Sequence, residues 1–126
     1  MLGAHYRLVA VNNQGASVTV TAKMKRRKFG TDGSLTIEGS PSTEISAVAI
    51  GAGSNYSSST VDNTTNKYLF AEVEFTVVAT STGLVAIYLS RSVDGGATYP
   101  DAGAGQLIGA INFTASGTQR RVFNLE

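Results

Sequence analysis

Residues 69–77 read LFAEVEFTV, and apolar and polar side chains alternate along most of this stretch. Ala71 and Val73 belong to the apolar series, while Glu72 and Glu74 belong to the other. Successive side chains of a β-strand point to opposite faces of a sheet, so the alternation predicts a strand with one dry and one solvated face. This is the clearest strand signal in the chain.

The same period of two recurs along the chain, whereas the spacing of an amphipathic helix does not. Further strands are predicted at 5–11, 18–24, 34–38, 44–50, 85–90, 106–114 and 119–125. Turns that contain Gly separate many of them, at 12–15, 31–33, 81–83, 94–96 and 116–118. Because no helical segment intervenes, we expect antiparallel pairing and an all-β fold, a jelly-roll-like, two-sheet β-sandwich of about eight strands. A closed barrel is the alternative.

The chain of 126 residues has the length of one domain, so we predict a single β-sandwich domain over 1–126. Its segment 51–66, GAGSNYSSSTVDNTTN, is polar and rich in small residues, and we expect a flexible loop that crosses between the sheets. The first residues lack the charged and apolar regions of a signal peptide, and no stretch is apolar enough to cross a bilayer. We therefore expect no membrane association.

Composition argues against several classes of chemistry. Cys is absent and His5 is the only histidine, which excludes disulfides and thiolate or multi-histidine metal sites. The net charge of +1 argues against a strongly basic nucleic-acid binder. Glu72 and Glu74 share a strand face at about 7 Å, a spacing that glycosidase carboxylates also use, but we interpret them as solvated surface carboxylates. We predict no enzyme activity, no cofactor and no metal.

Residues 92–99, SVDGGATY, fit the S-x-D-x-G-x-T-aromatic pattern called an Asp-box in sialidase-like propellers. The carboxylate of Asp94 is expected to accept hydrogen bonds from N–H groups of the turn, with both glycines at positive φ and the tyrosine packed back on the strand. One copy in so short a chain does not make a propeller, so the motif predicts a structural turn that closes a hairpin. The turn residues are Ser92, Asp94, Gly95, Gly96, Thr98 and Tyr99.

A basic run holds half of the ten lysines and arginines. Strand alternation would place Lys23, Lys25 and Arg27 on one side, while the consecutive charges at 26–28 indicate that the strand ends there and an exposed loop begins. Such a patch could bind phosphates or an acidic protein surface, and a solvated strand end is the alternative. We favour an acidic protein partner, because no aromatic side chains interleave the run. The run consists of Lys23, Lys25, Arg26, Arg27 and Lys28.

Residues 67–100, KYLFAEVEFTVVATSTGLVAIYLSRSVDGGATYP, resemble small proteins encoded among the head genes of tailed bacteriophages. The shared pattern is an aromatic-led strand, YLFAEVEF, a short loop, and a strand that ends in YL-x-x-SxDGG-x-xYPD. A short strand and a final basic-aromatic strand, here QRRVFNL at 119–125, then follow. The first sixty residues take no part in this resemblance.

The resemblance implies a capsid decoration, or cement, protein: a β-sandwich that binds the outside of the icosahedral head and bridges neighbouring major capsid subunits. It further implies a homo-oligomer on the shell, without cofactor, nucleic acid or membrane, made in the host cytoplasm and located on the virion surface. A neighbour could add a final strand to an open sheet edge. The expected capsid contacts are Lys23, Lys25, Arg26, Arg27, Lys28, Arg120 and Arg121.

Two alternatives remain open, because a fold does not choose among them. The first is a carbohydrate- or receptor-binding β-sandwich module of a virion, for which Tyr56 and Tyr99 would form the aromatic platform. The second is a head–tail connector or tail subunit.

Overall fold

The computed structural model describes residues 2–125, and within that range it contains ten β-strands and no helix. Each of the eight predicted strands is present, and 51–66 holds two more. The strands are β1 (His5–Asn12), β2 (Val18–Phe29), β3 (Leu35–Ile37), β4 (Ser42–Ile50), β5 (Asn55–Ser57), β6 (Val61–Asp62), β7 (Phe70–Ala79), β8 (Gly83–Ser92), β9 (Gln106–Phe113) and β10 (Gly117–Leu125).

The strands form two antiparallel sheets of five strands each. In the first sheet the order is β5-β1-β8-β9, and β6 pairs with the other end of β1. In the second sheet the order is β10-β7-β2-β3, and β4 pairs with the other end of β2. Each sheet is therefore four strands wide. The prediction of an all-β, two-sheet β-sandwich is confirmed, and the closed barrel is not what forms; the jelly-roll assignment stays a prediction.

The core lies between the two sheets and is built by the period-two alternation. Each large apolar side chain that is buried there contributes about 1.5–3 kcal/mol, which selects the register that turns the apolar series inward. The fully or nearly fully buried series are Tyr6, Leu8 and Ala10 of β1, Val18, Val20, Ala22 and Met24 of β2, Ala71, Val73, Phe75 and Val77 of β7, and Val85, Ile87 and Leu89 of β8.

The segment 51–66 is not the continuous loop that was expected, because β5 and β6 pair with β1 along its edge. The buried Asn63 side chain fixes the end of the segment: its Nδ2 donates to the carbonyls of Gly3 (2.9 Å) and Tyr68 (2.8 Å). Its Oδ1 accepts the N–H of Tyr68 at 2.9 Å. Backbone and side-chain amide hydrogen bonds, and not the burial of an apolar face, hold the polar segment in place. The alternation of apolar and polar residues therefore did not reveal β5 and β6.

The prediction that the second strand ends within residues 26–28 is wrong. Strand β2 continues to Phe29, since β7 pairs with it as far as Arg27 and β3 pairs with it from Arg27 to Phe29. Pairing on both sides gives the backbone of the basic run its hydrogen bonds, and the charged side chains are accommodated on the two faces of the strand.

Candidate functional site

The outer face of the second sheet carries most of the residues expected to bind a partner. Lys23 lies directly opposite Glu74, and Lys25 lies opposite Glu72, in the antiparallel register of β2 and β7. Partners in such a pair share a face of the sheet. The three basic residues at 23, 25 and 27 therefore form one row along β2, and the two carboxylates form a parallel row along β7.

These two rows are only partly neutralised within the chain. Arg27 Nη1 lies 4.0 Å from Glu72 Oε1, and Arg120 Nη1, from β10, lies 3.9 Å from Glu74 Oε2. Neither Lys23 nor Lys25 forms an ion pair within 4 Å in residues 2–125. The surface is thus not a basic patch but a pair of adjacent rows of opposite charge.

An exposed apolar cluster, here called the apolar tip, lies at one end of the same face. Phe29 and Phe70 meet edge to face with ring centroids 6.0 Å apart. Leu35 pairs with Phe29 and Ile37 pairs with Arg27, so both project on this face. Phe29, Leu35 and Ile37 are 56%, 49% and 52% exposed. The apolar tip consists of Phe29, Leu35, Ile37 and Phe70.

Sequence reasoning predicted the strand that carries Leu35 and Ile37, but not that these two side chains would stay exposed. Leu35 and Ile37 alternate with polar neighbours, which is typical of a strand that packs on a core. In the structure, all three residues of β3 are exposed. The position of Phe29 immediately after a basic run was the one feature of the sequence that could have indicated an exposed aromatic side chain. Only the order of the strands in the sheet shows that nothing in residues 2–125 covers it.

Arg26 is not available to a partner, which removes it from the expected capsid contacts. Its guanidinium points towards the inner side of β2 and donates two hydrogen bonds to the Glu38 carboxylate, from Nε to Oε1 and from Nη2 to Oε2, both 2.8 Å long. The backbone N–H of Arg26 donates to the same carboxylate at 2.7 Å, and Nη1 donates to the hydroxyl of Tyr6 at 3.1 Å. Both charged side chains are more than 85% buried. Arg26 anchors the β2–β3 hairpin.

The ionisation of Glu38 follows from this contact. Partial burial would raise the pKa of Glu38, but the hydrogen bonds from the side chain and backbone of Arg26 outweigh it, so the pKa lies below its usual range. The bond to Glu38 likewise raises the pKa of Arg26. The pair is therefore fully charged at neutral pH.

The remaining basic residues also differ in how exposed they are. Lys28 Nζ donates to the carbonyl of Asn66 at 3.0 Å and lies 5.2 Å from the centre of the Tyr68 ring. Arg120 and Arg121 are exposed on β10, where Arg121 Nη2 donates to Gln119 Oε1 at 2.7 Å. Among the strands of residues 2–125 only β7 pairs with β10, so no described strand is hydrogen-bonded to the other edge of β10.

The predicted turn at 92–99 has the expected local geometry. Ser92 Oγ donates to Asp94 Oδ1 at 2.6 Å, the N–H of Thr98 donates to the same oxygen at 2.9 Å, and the Thr98 hydroxyl donates to Asp94 Oδ2. The N–H of Gly96 donates to Ser92 Oγ at 2.9 Å. Gly95 and Gly96 have φ of 76° and 91°, a region that favours glycine. Hydrogen bonds from the Ser92 and Thr98 side chains hold the pKa of Asp94 far below its usual range.

Tyr99 packs on β1 rather than back on β8. The guanidinium carbon of Arg7 lies 4.2 Å from the centre of its ring, and its hydroxyl donates to Thr60 Oγ1 at 2.9 Å. Tyr56 pairs with Ala10, whose side chain faces the core, whereas Tyr99 lies on the outward side with Arg7. The two tyrosines therefore do not form the joint platform that a carbohydrate site would need.

The candidate acid–base residues are not brought together. His5 lies on the first sheet, 3.7 Å from Asp62, while Glu72 and Glu74 lie on the outer face of the second. No group of three or more metal-ligating side chains converges in the described part of the chain. Within residues 2–125 the structure also contains no helix with the length and hydrophobicity needed to span a membrane.

Comparison with protein-family models, with curated proteins and with solved structures found no match to this chain.

Replacing Asp94 by Ala is expected to loosen the loop 93–105, because three donors from Ser92 and Thr98 then lose their acceptor. Amide hydrogen exchange of this loop should become faster, while exchange in β7 stays unchanged. The matched control is Asp101→Ala, since the Asp101 carboxylate accepts no hydrogen bond in the described residues. Equal protection of the loop in both variants would contradict the structural role of the turn.

The contribution of this turn should depend on pH in a defined direction. Because the pKa of Asp94 is lowered by folding, the stabilisation is fully present above the unfolded value, about 4, and is lost as the pH falls towards the folded value. The difference in loop protection between the native chain and Asp94→Ala should therefore shrink on acidification, after correction for intrinsic exchange rates. A difference that grows towards low pH would contradict this assignment.

Proposed function

We propose that this chain is a structural, non-catalytic virion component: a decoration protein that binds in many copies to the outside of an icosahedral head and stabilises contacts between major capsid subunits. The observation that carries the proposal is the second sheet: within residues 2–125 no further layer packs on its outer face, and no strand pairs with the free edge of β10. Together they present exposed apolar side chains and charges of both signs, a composition that fits contact with other proteins.

The resemblance of residues 67–100 to phage head-gene products supports the same proposal. The strand, loop, strand and turn of that pattern correspond to β7, the link at 80–82, β8 and the turn held by Asp94. Strands β7 and β8 each lie between two others in their sheets, so the resemblance covers the centre of both sheets.

A decoration protein needs no deep pocket. It binds the assembled shell and not its separated subunits, so binding lowers the free energy of the assembled state by mass action. Contacts that repeat with the symmetry of the shell act together, so that modest individual affinities suffice.

The proposed shell contact lies on the open edge of β10. Arg120 and Arg121 are both exposed there, and Arg120 has a side chain that is 68% exposed. An exposed strand edge can pair with a strand of another protein, and the two cations would meet an acidic capsid surface. Of the seven basic residues expected to contact the capsid, these two are exposed, whereas the other five are half-buried.

The test is co-sedimentation with empty heads that lack the protein. The native chain should bind saturably, and Arg120→Glu with Arg121→Glu should lower occupancy at least tenfold, since like-charge contacts cost several kcal/mol. Lys67→Glu is the matched control, because Lys67 is exposed and lies off β10. Absence of binding at any protein ratio would overturn the proposal. Ring formation by the purified chain would instead support the connector, and glycan binding the receptor module.

A further inference from the structure

The outer face of the second sheet is charged in a pattern that can pair with itself. Its two central strands carry opposite signs: the row of Lys23, Lys25 and Arg27 on β2, and the row of Glu72 and Glu74 on β7. The members of the two rows stand level with each other along the strands. Any second surface that fits this face must present the same two rows with left and right exchanged.

A second copy of the chain meets that requirement. Consider a two-fold axis in the plane of contact, parallel to the strands and midway between β2 and β7. It places β2 of each copy over β7 of the other, without shifting either along the strand. Lys23 of one copy then faces Glu74 of the other, and Lys25 faces Glu72, twice over because the contact is isologous.

The same operation brings Phe29 and Phe70 of one copy close to Phe29 and Phe70 of the other, because β2 and β7 flank the axis, whereas β3 of each copy lies over the β10 side of its partner. The tip lies at one end of the face, and an axis parallel to the strands leaves that end where it is. Phe29, which is 56% exposed in the single chain, would then be removed from water together with Phe70. A perpendicular axis would instead set each tip against the opposite end of the face.

The face leaves groups for such a partner to satisfy. Neither Lys23 nor Lys25 has a carboxylate within 4 Å in residues 2–125, although each stands opposite one in the register. A shallow groove of about 160 Å³ lies between the rows, bordered by both lysines and both glutamates. A second groove of about 320 Å³ lies at the apolar tip, between Arg27 and Phe70.

The face is also large enough. Four strands about 4.8 Å apart and ten residue pairs rising about 3.3 Å each give roughly 600 Å² in projection. Accessible area exceeds projected area, so the face approaches the ~800 Å² per partner of a specific interface. Twisted sheets pack face to face with their strands within about 30°, which keeps the central rows opposed.

We propose that this chain forms a two-fold dimer through the outer face of its second sheet, so that the acidic partner of its basic row is a second copy. The dimer leaves the backbone edge of β10 and the Arg121 side chain at its rim, whereas Arg120 lies on the contact face. The inference concerns the purified chain and does not depend on the proposed function: a dimer that fails to bind heads would overturn only the function, and a monomer that binds them would overturn only the dimer.

The experiment uses two variants that make the face uniform in charge. Lys23→Glu with Lys25→Glu gives an acidic face, and Glu72→Lys with Glu74→Lys gives a basic one. Sedimentation equilibrium over a concentration series should find the native chain dimeric and each variant weakened about 100-fold in self-association, the effect of several juxtaposed like charges. An equimolar mixture of the variants should form a heterodimer, because every row then faces its opposite.

A second variant tests the apolar tip without altering charge. Phe29→Ser should weaken the dimer about tenfold, whereas Val93→Ser, at a fully exposed position in the loop after β8, should have no effect. Circular dichroism should show that each variant is folded, and the heterodimer is a direct control because it forms only if both variants are native. The proposal is overturned by a monomeric native chain, by variants that dimerise as the native chain does, or by a mixture that stays monomeric.

Discussion

Replacing Arg26 by Met is expected to lower the free energy of unfolding by about 3 kcal/mol, the lower end of the range for breaking a buried ion pair. The guanidinium supplies two of the three hydrogen bonds that Glu38 accepts, and it is largely buried. Without it the Glu38 carboxylate keeps one bond, from the backbone N–H of residue 26, and lies desolvated without a counter-charge. The β2–β3 hairpin, which carries Leu35 and Ile37, loses its anchor at the same time.

The measurement is urea-induced unfolding followed by far-ultraviolet circular dichroism. The matched control is Arg120→Met, which removes an exposed cation 3.9 Å from Glu74 and should cost less than about 1 kcal/mol. Arg26→Met with Glu38→Leu should recover much of the lost stability, since no buried charge is left unpaired. If Arg26→Met costs no more than Arg120→Met, the anchoring role is wrong.

The same pair should contribute to the pH dependence of stability. Because folding lowers the pKa of Glu38, the unfolded chain takes up a proton before the folded chain does. The contribution is fully present above the unfolded value, about 4.3, and is lost as the pH falls through the folded value. Glu38→Gln should therefore flatten the decline in stability on the acid side of this range.

Replacing Asn12 by Ala is expected to destabilise the fold by about 3 kcal/mol, since several buried polar groups lose their partner at once. The side chain is completely buried. Its Nδ2 lies 2.8 Å from the carbonyl oxygen of Ala16 and 3.0 Å from those of Ile50 and Gly51. Its Oδ1 accepts the N–H of Gln14 at 2.9 Å. One amide thus joins the end of β1, the turn that follows it and the end of β4.

The control is Asn13→Ala, which removes the same side chain from the adjacent, exposed position and should change stability by less than about 0.5 kcal/mol. Both variants should have the same denaturant dependence, so that the difference appears in the unfolding midpoint. An Asn12→Ala variant as stable as Asn13→Ala would show that the three carbonyls find other partners.

The local pattern of the sequence was sufficient to predict the strands and the turn at 92–99. Apolar and polar residues alternate in the sequence of β7, and its apolar members Ala71, Val73 and Phe75 are buried in the core as expected. The turn could likewise be predicted from residues close in sequence, since Ser92 and Thr98 both donate hydrogen bonds to the nearby Asp94 carboxylate. Both features depend on contacts between residues close in sequence or on a period that any sheet would use.

The candidate surface depended instead on which strands lie side by side. Nothing near Lys25 in the sequence indicates that Glu72 stands opposite it, and Arg26 met Glu38 only because β2 continued past its predicted end. The pairing of distant strands is set by the free energy of burying the whole core, not by the residues that end up on the outside. Alternation along one strand thus determined what would be buried, whereas the order of the strands alone decided which charges and apolar side chains share the exposed face.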